Sequence, residues 1–223
     1  MNENELKMLW QTTNEKLVSS LKIHKENTES ITKLKVNHLL TSMKPVKLVA
    51  LAIGVVWVLA IGSLLGNLLV SEPHSVSIFF VGSAGVQILL TAIAIGVYVY
   101  QLDLIRQINL GEPVFAIQEQ LAKLRIATLN VTRLLFLQLP LWTTFYWHEQ
   151  MFSTDNLVLW LVQGTVTVAF TCLAFWLFAN IKYENRNKKW FRWIFSGAEW
   201  QPILQAMNLL EQLEHQQAEQ QEG

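Results

Sequence analysis

His74 with Glu72, and His148 with Glu149 and Asp155, are the side chains in this sequence best suited to holding a metal ion. Zn²⁺ takes four N, O or S ligands, and a chain usually fixes two of them at once by HxxxH or HExxH spacing on one helix. Neither spacing occurs, so these residues read as polar loop positions, with His74 and His148 the only metal candidates. His24, His38 and His215 stand alone on polar helical faces and read as solvated. The single Cys172 lies in an apolar run, which excludes an intrachain disulfide and any CxxC redox or metal site. No Ser/His/Asp set, glycine-rich phosphate loop or EF-hand is present, so the expectation is a chain that is not an enzyme and carries no cofactor.

A second group of polar residues is notable for its surroundings. Gln87, Thr91, Gln138, Gln163, Thr167 and Thr171 all sit within apolar runs. Gln87 and Thr91 are four apart, as are Gln163 and Thr167, so each pair lies on one face of a helix. Counted at 1.5 Å per residue, Gln138 lies about 14 Å into its run, near mid-bilayer, at a depth similar to Gln87. Such a layer can be packing glue between helices or the lining of a permeation path. No Asp, Glu, Lys or His shares that depth, so the usual means of moving protons or charge are missing and glue is the favoured reading. A transporter or channel subunit, or an accessory to one, is the alternative.

Two apolar stripes suggest protein contacts. Leu6, Trp10, Thr13, Leu17, Ile31 and Leu34 recur at alternating four and three spacings, the seam of a coiled coil. After a capping box read at Ser196 to Glu199, residues Trp200, Ile203, Leu204, Met207, Leu210 and Leu213 line one helix face. These stripes either pack on one another or receive a partner, whose anchors would be Trp10, Leu17, Trp200, Ile203 and Met207. The stretch "YENRNKKWFRWIFSG" interleaves aromatic and basic residues beside an apolar run. That mix suits anionic lipid head groups, and no nucleic-acid partner is expected.

The elements that must position these groups are helices in a membrane. Of 223 residues, 52% are apolar and only 15% charged, which favours membrane residence over a soluble domain. The first apolar run begins near Val46, behind a polar segment, so no cleavable signal peptide is expected. Four runs reach the roughly 20 residues a bilayer requires: 46–70, 78–100, 129–148 and 157–181. Arg133, Gln138 and Pro140 interrupt the third. Arg133 is expected to snorkel to the interface or pair with an acid such as Glu184.

The basic residues give the orientation. All 17 lie before or at the start of the first run, between the second and third or one turn inside the third, or after the fourth, and none falls in "SEPHSVS" or "HEQMFSTDN". By the positive-inside rule both termini face the cytoplasm. Aromatic residues at Phe145 to Trp147 and at Tyr98, Tyr100, Trp176 and Tyr183 mark the two interfaces. The sequon at Asn130 then lies on the cytoplasmic side and is discarded.

The expected fold class is therefore all-α: a polytopic membrane protein of four transmembrane helices with long cytoplasmic helical extensions. Residues 1–44 form a coiled-coil-like amphipathic region and 45–182 the membrane domain, with a helical hairpin at 101–128 turned at Gly111. Residues 183–223 hold the interfacial segment and a last helix. Whether the first region joins the first span or breaks at Lys44 and Pro45 is open. Gly54, Gly62, Gly66 and Gly96 suggest close helix packing, within the chain or in a homodimer.

The segments "MNENELKMLWQTTNEKL", "ITKLKV", "LQLPLWTTFYW" and "IKYENRNKKWFR" resemble a family of small, uncharacterised bacterial inner-membrane proteins. The resemblance spans most of the chain and implies a bacterial inner membrane, without adding chemistry. The functional expectation is a non-enzymatic regulator or scaffold whose terminal helices bind a cytoplasmic protein, with sequestration in the manner of an anti-sigma protein as one form.

Overall fold

Val46 to Val70 holds a single charge, Lys47, and nothing in it breaks a helix, while the polar residues ahead of it are good helix formers. The computed structural model, which describes residues 3–71, 77–109, 111–147, 157–197 and 199–222, joins the two in one helix. This helix, α1 (Glu3–Ser71), has 69 residues, about 104 Å at 1.5 Å per residue. Pro45 lies inside it without ending it. Its ring and Thr41, whose carbonyl loses its usual donor, are both on the exposed side, where the freed oxygen keeps access to other donors.

α2 (Ile78–Gln107) and α3 (Val114–Phe136) form the expected hairpin. At its tip the Gly111 N–H donates to Asn109 Oδ1 at 3.0 Å, and Pro113 stands immediately ahead of α3, where a missing N–H costs nothing. The expected continuous helix over 129–148 is instead two pieces. α3 stops at Phe136, residues 137 and 138 make a turn, and α4 (Leu139–Thr144) follows. Pro140 has no N–H for the Phe136 carbonyl, and Thr143 Oγ1 donates back to the Pro140 carbonyl at 2.7 Å.

α5 (Leu157–Asn180) comes next, then a 3₁₀ turn (Tyr183–Asn185), α6 (Lys189–Ile194) and α7 (Gln201–Glu222). The capping box expected at Ser196 does not form: its hydroxyl donates backward to the Trp193 carbonyl at 3.0 Å, and α7 starts later with Pro202 in its first turn. Among the described residues the structure is all-helical, 89%, with three helices (α1, α2 and α5) long and apolar enough to cross a membrane. One stripe of α5, with Gln163, Thr167 and Thr171 partly buried and Ala174 and Leu177 buried, faces the chain, and the rest of its surface is mainly exposed apolar side chains, as lipid contact requires.

The polar ends of the helices meet in a second core. Val36, Leu40 and Met43 of α1 pack on Leu104 and Ile105 of α2, Ile117, Leu121 and Leu124 of α3, and Ile203, Ala206 and Leu210 of α7. This corrects the register expected for α1. Ile31 and Leu34 are 53% and 64% exposed, while the buried row runs 36, 40, 43, 47, displaced around the helix from the 31/34 seam. Lys33, on the packed side, pairs with Glu29 at 2.8 Å and donates to the Glu112 carbonyl at the hairpin tip at 3.0 Å.

Of the glycines expected at helix contacts, Gly54 alone meets a neighbour. A Cβ there would sit 3.2 Å from Ile95 Cγ1 on α2, whereas Gly62, Gly66 and Gly96 face open space within the chain. Gly54→Leu should therefore push α1 from α2 and cost about 1–3 kcal/mol. Gly62→Leu should leave thermal unfolding in mild detergent unchanged, and equal losses in both variants would contradict this packing.

Candidate functional site

The metal candidates His74 and His148, with Glu72, Glu149 and Asp155, lie outside the described residues. Among the described residues no group of three His, Cys, Asp or Glu side chains is placed to hold a metal ion.

The polar layer has been brought together in two linked pairs. Gln138, in the turn ahead of Pro140, donates through Nε2 to Thr91 Oγ1 at 3.0 Å, and Thr91 donates to the Gln87 carbonyl at 2.8 Å. Gln163 on α5 donates to the Thr143 carbonyl on α4 at 2.6 Å. Ser83, which the sequence did not single out, sits 2.7 Å from the Thr144 hydroxyl. The short α4 is thus fastened to α2 on one side and α5 on the other, each bond contributing about 0.6–2 kcal/mol. Gln87 differs: it is 1% exposed and neither atom of its amide has a partner, and the Thr167 hydroxyl is likewise buried without one.

One polar cluster was missed. Lys47, fully buried, donates to Gln101 Oε1 of α2 and lies 5.5 Å from the centre of the Tyr98 ring. The Tyr98 hydroxyl donates in turn to the Glu199 carboxylate at 3.3 Å, just ahead of α7. Tyr98 and Gln101 are three apart on one face of α2, facing the one charged residue of the 46–70 run. That placement was the available signal, hidden because a lysine at the end of a span normally reads as an interfacial charge.

The basic and aromatic segment folds onto the end of α5 and the start of α7. Phe191, Phe195 and Trp200 pack ring on ring, with Phe191 and Phe195 stacked at 4.3 Å between centroids. Arg125 of α3 lies 3.8 Å from the centre of the Tyr183 ring and Arg186 lies 4.5 Å from it, contacts of the cation–π kind. Arg133 does not pair with Glu184: its Nε donates to the Ile181 carbonyl at the end of α5, where the helix dipole favours a cation.

The residues expected to anchor a partner divide. Trp200 and Ile203 are in the core and Met207 packs beside it, in contact with Arg125 Nη1 at 3.7 Å, so the α7 stripe is already covered by α1, α3 and α6. Trp10 and Leu17 are free, and residues 5–24 are exposed without exception. At 100° per residue Leu6, Leu9, Trp10, Leu17 and Leu21 fall on one side of α1, with Met8, Glu15 and Lys22 opposite. No protein family, curated protein or solved structure matches this chain, so the functional reading rests on its own residues.

Proposed function

We propose that this chain is a non-enzymatic regulator or scaffold of a bacterial inner membrane, which presents residues 5–24 of α1 to a cytoplasmic protein. In this reading it crosses the membrane four times, α3 and α4 together making the third crossing, with both termini in the cytoplasm. The distribution of the 17 basic residues favours that arrangement. The carrying observation is that about 30 Å of helix, residues 5–24, is exposed along its whole length with five large apolar side chains on one side, Trp10 among them 68% exposed. An isolated helix of this kind has no reason to expose that stripe except to cover it with another apolar face. Sequestration of a transcription factor, in the manner of an anti-sigma protein, is one form the contact would take.

A photocrosslinking residue placed at Leu17 in the full chain should give one discrete adduct with a soluble protein in cells. Trp10→Ala should weaken that adduct about tenfold or more, as loss of a central aromatic anchor does. No adduct, or one insensitive to Trp10→Ala, would overturn the reading, and an adduct of twice the chain's mass would assign the surface to a second copy instead.

A further inference from the structure

A groove of about 570 Å³ opens between the 3₁₀ turn, α6 and the first turns of α7. That is within the roughly 300–1,000 Å³ that small-molecule sites occupy. Its floor is apolar, formed by the buried rings of Phe195 and Trp200, and its rim carries the exposed guanidinium groups of Arg186 and Arg192. Gln201 and Asn208 add amides along the α7 side. Residues 181–197 hold five basic side chains and one acid, Glu184, and neither rim arginine is ion-paired. The nearby Glu199 carboxylate accepts from Tyr98. Two cations over an aromatic floor, left without a counter-ion by the protein, match a ligand that is anionic at one end and apolar at the other.

We infer that this groove is a binding site for one anionic glycerophospholipid, its phosphate held by Arg186 and Arg192 and its glycerol and acyl roots laid against Phe195 and Trp200. The position selects a lipid over a soluble phosphate. The groove begins three residues after α5, a helix apolar enough to span a membrane, and beside Arg192 stands Trp193, 82% exposed, an interfacial anchor of the usual type. Guanidinium groups favour phosphate oxygens with two parallel donors each. A choline head group would bring its own cation between the two arginines, so the site discriminates against zwitterionic lipid. The inference is independent of the partner proposed for residues 5–24.

Native mass spectrometry of the full-length protein in neutral detergent, where no membrane surface potential acts, tests it. With phosphatidylglycerol and phosphatidylcholine of matched chains, the protein should retain one phosphatidylglycerol at least about tenfold over phosphatidylcholine. R186Q/R192Q should abolish that preference, and K188Q/K189Q, with the same charge change outside the groove, should keep it. Because Arg186 also stacks on Tyr183, R192Q alone serves as the variant with no contact to lose within the chain, and it should lower retention several-fold with unfolding unchanged. Equal retention of the two lipids, equal losses in both double variants, or full retention by folded R192Q would each overturn the site. Displacement of the lipid by millimolar inorganic phosphate would assign it to a soluble phosphate ligand.

Discussion

Leu210→Asp should release α7 from the rest of the protein while the long apolar helices stay folded. Leu210 is fully buried in the core that α7 shares with α1 and α3, while the α6 rings cover only the Trp200 end of its stripe. Truncating such a side chain to alanine costs about 2–5 kcal/mol, and an aspartate there must also lose its hydration. Those costs exceed what the remaining contacts of one helix of this length supply, so local undocking is the cheaper response. Hydrogen exchange should show amides of 203–213 losing most of their protection, and a protease should cut in the same stretch. Amides of α2 and α5 should be unaffected. Cooperative loss of protection throughout would mean that α7 and the apolar helices unfold as a unit.

Lys47→Ala should be a second strongly damaging change, at about 2–4 kcal/mol, net of the hydration cost that the buried ammonium no longer carries. Two losses combine. The Gln101 amide, fully buried and with Nε2 already unpartnered, loses its only hydrogen bond, which costs about 1–3 kcal/mol. The lysine stem leaves a cavity between α1 and α2 that well-packed neighbours refill only in part. Lys47→Met restores most of the volume but not the donor, and should recover roughly half the loss. Thermal unfolding in mild detergent orders the three proteins. Should Lys47→Ala unfold at the wild-type Tm, the cluster linking α1, α2 and the approach to α7 would contribute nothing to stability.

The parts of this fold that repeat along the chain were legible from it. The apolar runs of α1, α2 and α5 stand out because each exceeds a bilayer's worth of residues, and the α7 stripe because its period matches a helix. What could not be read depended on a neighbour. The 31/34 seam and the 36/40/43 row are equally good stripes in isolation, and only packing on α2 and α7 selects between them. Pro45 and Pro140 carry the same local chemistry, yet the helix runs through one and turns ahead of the other. The difference lies in whether flanking residues continue to pack as a helix. The polar layer was found as residue types at similar depth, but its pairing through α4 needed coordinates, and the Ser83 contact carried no spacing signal at all.

The absence of a break in α1 has a mechanical consequence. The unbroken backbone of α1 couples a tilt of its apolar half to its free tip, with Pro45 between them as the place where a kink would form. From Pro45 to Leu6 is about 60 Å, and a 5° change in tilt of the apolar half therefore sweeps the tip sideways by about 5 Å. Tilts of that size are what transmembrane helices adopt when bilayer thickness changes by a few ångströms. Where α1 moves as one piece, a change in bilayer thickness would shift the position of Trp10, and a kink at Pro45 would absorb that shift.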